Sequence, residues 1–335
     1  MIDSKSGETA FEPIPFLSAL ALAKTQMDQA LLSTPGPFRP RTGYLTQSSG
    51  KFLRARAVLI CAEEAAGVNP AAAKAAAAVE LLHLATLTHD DVIDNADTRR
   101  GLPTLKKKFG NRQAVISGDY ILCLALRLAA EAAAQERDLN GEFPDTMEKI
   151  CMGELLQSVN HRNFSLSGNG YLRIISGKTA ALFQGSFYAG AMLSKEAREE
   201  ADQYASIGWH LGMIFQLADD CMDYEATAEQ AKKPVLSDFE QGVVTLPLIF
   251  AIKENPEIRK RAAVGDVTKE EIRQAVLTSG GINFTRRIAC MYYDRAVDLV
   301  NSLNAPPFKK EKIAALLAQA LGPSSGMQPS LAAVL

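Results

Sequence analysis

The chain is poor in the residues that most often announce a metal, a haem or a covalent staple. It has four histidines, one tryptophan and five cysteines in 335 residues. Cys61, Cys123, Cys151, Cys221 and Cys290 lie far apart, with none of the close Cys or Cys/His spacings that hold zinc or an iron–sulfur cluster. Their odd number argues against a disulfide scaffold. With no cleavable apolar leader around Asp3 and Glu8, it points to a reducing cytoplasm. An excess of one charge is also missing. The 36 basic and 38 acidic residues leave −2, which gives no footprint for nucleic acid. The basic run Lys106–Lys108 reads as a solvated loop. No uninterrupted apolar run is long enough to cross a bilayer, since the richest, 71–87, is broken by Lys74, Glu80 and His83.

Strand-like alternation is nearly absent as well, and no tandem repeat is found. What remains is helix. Apolar periodicity predicts helices over 10–32, 50–66, a long element from Pro70 into the 80s, 111 or 118 to 135, and 148–160. Further helices are expected over 171–193, 196–224, 243–253, 269–278, 284–303 and 307–321. Asn69 and Pro70 are an N-cap and first-turn proline for the long alanine-rich element. Pro35, Gly36, Pro37, Pro40 and Gly43 make 33–49 a loop. Residues 322–335 read as a loose tail, and Asp119, after Gly118, as a helix cap. The expectation is an all-α, single-domain, multi-helix bundle over 1–335.

Carboxylates, in contrast, are placed with order. The stretch 80–101, ELLHLATLTHDDVIDNADTRRG, ends an apolar helix with Asp90, Asp91 and Asp94 and follows it with Arg99 and Arg100. Positions i and i+4 share a helix face, so Asp90 and Asp94 point one way with Asp91 beside them. Like charges that close repel unless cations neutralise them. Donors that are all oxygen suit a hard ion such as Mg²⁺, which keeps waters and binds phosphate oxygens. One cluster alone reads equally well as a solvated helix end. A second, Asp219, Asp220 and Asp223 in FQLADDCMD, repeats the spacing after another apolar stretch. Two such sets predict clusters that face each other, with metal ions and a polyanion between them. Lys178 sits inside an apolar helix, where an unpaired ammonium is costly, so a phosphate partner is expected there.

These residues resemble the trans-isoprenyl (polyprenyl) diphosphate synthases over about 40–300. The likeness is carried by GKFLR at 50–54, the 80–94 stretch with RRG at 99–101, and SGDY at 117–120. GKTAALF at 177–183, FQLADDCMD at 215–223 and DFEQGVVTLP at 238–247 complete it. It implies helices around a deep central cavity, a homodimer, and Mg²⁺-dependent condensation of an allylic diphosphate with isopentenyl diphosphate, using two or three ions. By the same likeness Asp90, Asp94 and Asp219 are the first-choice metal ligands, Asp91 and Asp220 come next, and Asp223 supports them. Arg99, Lys178, Thr179, Gln216 and Lys233 match positions that hold the allylic diphosphate. Lys51, Arg54, His83 and Arg100 match a metal-free isopentenyl diphosphate site. The chain departs from the family at Phe52, Ala55, Leu236, where glycine is common, and Val243, where lysine is common.

In such enzymes product length is limited by side chains below the first cluster. Here these are Thr86 and Ala85, then Leu82. From Asp90 back to Ala78 a helix rises roughly 18 Å, room for about four isoprene units. The expectation is an all-trans product longer than farnesyl, with a tunnel floor on the 119–130 helix, at Leu126 or Leu128. Geranylgeranyl- or farnesyl-length synthesis, a class I terpene cyclase and a non-catalytic subunit of a heteromeric synthase are the other readings. The cyclase has no use for a second diphosphate site.

Overall fold

A computed structural model describes residues 12–47, 50–134, 142–194, 198–225 and 236–322. Helices α1 (Phe16–Leu32), α2 (Arg39–Leu45) and α3 (Leu53–Ala62) lead into α4 (Pro70–Ile93). Then come α5 (Leu105–Phe109), α6 (Asn111–Ala133), α7 (Glu142–Val159) and α8 (Gly168–Ile175), which runs through a π-helical turn, Ser176–Ala180, into α9 (Ala181–Leu193). Next are α10 (Arg198–Glu225), α11 (Ser237–Glu240), α12 (Leu246–Glu254) and α13 (Pro256–Ala263). The last are α14 (Lys269–Ser279), α15 (Gly281–Ser302) and α16 (Pro307–Leu321).

Helix α4 is the axis of the bundle. Its start forms as the sequence requires: Asn69 Oδ1 accepts the Ala71 N–H at 2.9 Å, and Pro70 occupies the first turn. The buried alanines 71–73 and 75–78 then present only methyl groups, which lets neighbouring helices approach closely. Helix α6 answers with Ala114, Gly118, Ile121 and Ala125 on its buried face. A first core joins α1, α3, α4, α6, α9 and the first half of α10. A second joins α8, α12, α14 and α15 to the rest of α10, through Met213, Leu217, Cys221 and Tyr224. The long α10 therefore ties the two cores together and carries the second acidic cluster on the part that packs in the second core.

The all-α expectation holds, with local differences. Residues 33–49 contain α2, because Pro40 occupies a first-turn helix position instead of breaking the chain. The helix expected to Ala66 stops at Ala62 in a small hairpin, Glu63–Glu64 with Gly67–Val68. Lys106–Lys108 lie in α5, capped by Thr104, and α13 falls where no helix was expected. Asp119 caps nothing: it sits mid-helix in α6, 3.2 Å from His89. The five cysteines form no disulfide. Both α4 and α6 are long and apolar enough to cross a bilayer by length and composition, contrary to the sequence expectation. Here α4 is mostly buried in the core and ends in the first aspartate cluster.

Candidate active site

Asp90 lies in the last turn of α4 and Asp94 is its C-cap residue, whose N–H bonds back to the Asp90 carbonyl at 2.8 Å. Burial pushes the Asp90 carboxyl up to about 6, with Glu154 and Asp94 adding to the effect and Lys178 and Arg99 opposing it. Asp94 is raised for the same reasons, burial first. The cation between them is Lys178, whose Nζ is 2.6 Å from Glu154 of α7. Burial would lower its pKa, but Asp90, Glu154 and Asp94 outweigh that and raise it. Asp91 points elsewhere. It is buried and takes the Arg99 Nε–H at 2.6 Å.

Arg99 and Arg100 belong to a second tiny hairpin, Thr98–Arg99 paired with Leu102–Pro103. Its two turn residues, Arg100 and Gly101, both have positive φ, as a tight hairpin turn of this hand requires. The RRG triplet is thus a turn that sends Arg99 to Asp91 and lifts Arg100 over Gly50. A Cβ on Gly50 would lie 2.9 Å from the Arg100 guanidinium.

The second cluster is held differently. Asp220 is fully buried and receives hydrogen bonds from the Tyr171 hydroxyl and from Gln216 Nε2, the latter at 2.8 Å. Burial drives its pKa well up, and Asp238 and Asp223 push it further. Asp223 accepts the Ser237 and Asp238 N–H groups at 3.1 and 3.2 Å, so it anchors the chain where it returns at α11. Asp219 is exposed.

One turn answers to both clusters. In the π segment Ser176–Ala180, Lys178 feels the charges of Asp90 and Asp94, while the next residue, Thr179, donates to Gln216 Oε1 at 2.7 Å. Gln216 in turn holds Asp220. A π turn inserts one residue, which lets adjacent side chains serve opposite sides. Trp209 Nε1–H donates to Ser176 Oγ at 2.8 Å and fastens the start of the turn.

Beside this acidic mouth is a cationic recess. Arg54 is half-buried, with its guanidinium carbon 4.5 Å from the Phe183 ring centroid, and its buried Nε has no hydrogen-bond partner among the described residues. Burial lowers its pKa to about 10, against the attraction of Glu80. Glu80 is itself buried and accepts the Ala55 N–H at 3.0 Å. His83, two turns below Asp90, is kept neutral by burial and by Arg54, Arg100 and Arg99. An orphaned guanidinium donor among several cations is a site built for an anion.

Residues 38–278 match the model of the family described as Polyprenyl synthetase. The chain belongs to that family. This polyprenyl synthetase is a prenyltransferase, and its relatives carry the names of heptaprenyl, octaprenyl and geranylgeranyl diphosphate synthases. It is 34% identical over 288 residues to heptaprenyl diphosphate synthase component 2 of Geobacillus stearothermophilus, spanning 85% of this chain and 89% of that one. It is 29% identical to the octaprenyl diphosphate synthase of Escherichia coli over 92% of this chain and 95% of the other. Among solved structures, heptaprenyl diphosphate synthase from Staphylococcus aureus superposes with a TM-score of 0.83 at 27% identity, covering 92% and 98% of the two chains. The polyprenyl synthase of Caulobacter crescentus, complexed with calcium and isoprenyl diphosphate, gives 0.82 at 29% identity, covering 91% of this chain and 94% of that one.

The structure thus gathers Asp90, Asp94, Lys178, Thr179, Gln216 and Asp220 around one turn, and Arg54, His83 and Arg100 in the recess. Lys51 is exposed beside it, and Lys233 lies outside the described residues. Glu154, Tyr171, Glu80 and Asp238 were not anticipated. Leu236, where relatives often have glycine, adopts a left-handed φ of 60° while its side chain is buried, so packing offsets the backbone strain of about 1–2 kcal/mol. Val243 donates its N–H to the Asp238 carbonyl at 2.8 Å and places no cation there. Of the two tunnel-floor candidates, Leu126 is corrected: it is 39% exposed on the outer side of α6, whereas Leu128 is buried in the first core.

Proposed function

We propose that the enzyme joins an allylic diphosphate to isopentenyl diphosphate and makes an all-trans product longer than farnesyl. The observation that carries this is the succession along α4: His83 amid the charges of Arg54, Arg99 and Arg100, then two turns on Asp90 beside Asp94 and Glu154. Two diphosphates need two sites of opposite logic, one neutralised by metal and one by side chains.

Among the described residues no group of three His, Cys, Asp or Glu side chains lies close enough to hold a metal ion by itself. An open set of aspartates fits ions whose shell is completed by water and substrate oxygens, as Mg²⁺ requires. Two or three Mg²⁺ ions held by Asp90, Asp94 and Asp219 would neutralise the pyrophosphate that leaves the allylic carbon. Lys178 and Arg99 add fixed positive charge at the same oxygens. Asp91 keeps Arg99 in place, and the Thr179–Gln216–Asp220 chain holds the opposite wall. Arg54 and Arg100, with Lys51 at the rim, bind the isopentenyl diphosphate, and neutral His83 donates a hydrogen bond to it. The double bond is thereby held toward the allylic carbon left by the departing pyrophosphate. Its attack forms the new C–C bond, and the resulting tertiary cation loses a proton to the pyrophosphate, re-forming a double bond.

Incubation of the purified chain with Mg²⁺, isopentenyl diphosphate and farnesyl diphosphate should give chain-extended products. Consumption of the allylic substrate without isopentenyl diphosphate would mark a cyclase and refute the proposal. Arg54→Met keeps the bulk of the stem but removes the charge. It should raise the KM for isopentenyl diphosphate by about 10- to 100-fold and leave that for the allylic diphosphate nearly unchanged.

The working unit is a homodimer in this proposal. Helix α7 exposes Met152, Leu155 (59%) and Val159 (76%) on one face, and α6 exposes Val115, Ile116 and Leu126. Apolar residues recurring at helical spacing on the outside call for a covering surface. The name of the Geobacillus relative, component 2, supports a second reading, in which another polypeptide covers them. Activity and sedimentation of the chain alone separate the two.

A further inference from the structure

Helix α7 crosses the π turn closer than side chains would allow, through two glycines that face each other. A Cβ on Gly153 would strike the Lys178 backbone nitrogen, and one on Gly177 would lie 2.7 Å from the Lys149 carbonyl oxygen and 2.9 Å from the Gly153 Cα. Each glycine is followed by a charged residue, Glu154 and Lys178, and those two pair at 2.6 Å. Both are about three-quarters buried, at 24% side-chain exposure each. The crossing therefore sets one carboxylate against the ammonium that also faces Asp90 and Asp94.

We propose that Glu154 is a positioning residue that keeps Lys178 off the metal-binding carboxylates. One carboxylate, Glu154, pairs with the ammonium directly, and the charges of Asp90 and Asp94 act on it from the other side of the site. If only Asp90 and Asp94 were present, Lys178 would pair with them and compete with any divalent ion for the same oxygens. Glu154 offers a third partner on the opposite helix, outside the aspartate pair. When ions occupy Asp90 and Asp94 they repel the ammonium, and Glu154 retains it beside the diphosphate instead of letting it swing away. No proton or bond is transferred. The effect is purely one of charge placed by a rigid glycine crossing.

This inference rests on the metal reading of the first aspartate cluster, so its test uses Mn²⁺ as a probe in the absence of substrate. Free Mn²⁺ is followed by electron paramagnetic resonance over a double-mutant cycle of Glu154→Gln, Lys178→Met and the pair. Glu154→Gln should weaken Mn²⁺ binding about tenfold, within the range of coupling between contacting charges. Lys178→Met should tighten it. In the Lys178→Met background, Glu154→Gln should change it by less than about threefold. Equal weakening in both backgrounds would show that Glu154 ligates the ion itself, and the positioning role would fall. In turnover, Glu154→Gln should lower kcat with the KM for isopentenyl diphosphate unchanged, and Glu154→Asp should restore part of it. Circular dichroism melting of each variant without metal identifies any that fail to fold. For those the milder Glu154→Asp and Lys178→Arg variants complete the cycle. Failure of wild type to bind Mn²⁺ would overturn the metal reading instead.

Discussion

Asp90→Asn should abolish useful turnover and stabilise the metal-free protein at once. The amide keeps the shape but loses the charge that holds the cation, so kcat should fall by about 10³-fold, some 4 kcal/mol of transition-state stabilisation. The stability effect runs the other way because Asp90 is costly to ionise where it sits. Its carboxyl titrates near 6, against an ordinary 3.8. The native state therefore holds a proton that the unfolded chain releases over this interval. The stabilisation from that proton is complete below pH about 4 and lost as the pH rises through about 6. At pH 7.5 the charged carboxylate costs the fold at most about 3 kcal/mol, at 1.36 kcal/mol per pH unit. Urea denaturation at pH 7.5 without metal should show Asp90→Asn to be the more stable protein, with the difference shrinking toward pH 4. Added Mg²⁺ should stabilise wild type and leave the variant unmoved. Equal stability of the two proteins at pH 7.5 would mean that Asp90 is not strained by its surroundings.

Helix α4 was legible because its signals are local: an Asn-Pro start, alanine propensity and a polar end. Both aspartate clusters were legible because i, i+4 spacing survives any tertiary arrangement. The partners of those aspartates were not. Tyr171 reaches Asp220 across 49 residues, and Glu154 reaches Lys178 only because Gly153 and Gly177 let two backbones touch. No window of sequence contains either contact. Glu80 stands in the quoted stretch without a role, since its meaning depends on the charge of Arg54 one helix away. The π turn was read as ordinary helix because an inserted residue leaves apolar periodicity nearly intact over a few positions. Of the tunnel-floor candidates, the sequence does not separate Leu126 from Leu128, but the buried side of α6 is the Ala114, Gly118, Ile121, Ala125, Leu128 face. Proline was misread at 40 because the same residue that stops a helix also starts one.

Ala85→Phe should shorten the product, and this is where the bundle's construction decides the outcome. Below Asp90 the wall of α4 offers Thr86, Ala85, Leu82 and then Ala78, with Ala85 only 1% exposed and Leu82 and Ala78 also buried. A methyl group at 85 is the smallest obstacle an L-residue can present. A phenyl ring there would project beyond that methyl into whatever lies beneath the aspartates. If that space is the path of the growing chain, elongation should stop several units early, and the product from farnesyl diphosphate should shift toward the geranylgeranyl length. If the space is packed core, the ring has nowhere to go, and overpacking should cost about 1–3 kcal/mol of stability without shortening anything. Sizing the products by chromatography and measuring urea midpoints on the same preparations separates the two. A shortened product from a protein of unchanged stability establishes the path along α4. An unchanged product from a destabilised one would place the tunnel elsewhere and remove the basis for a product longer than farnesyl.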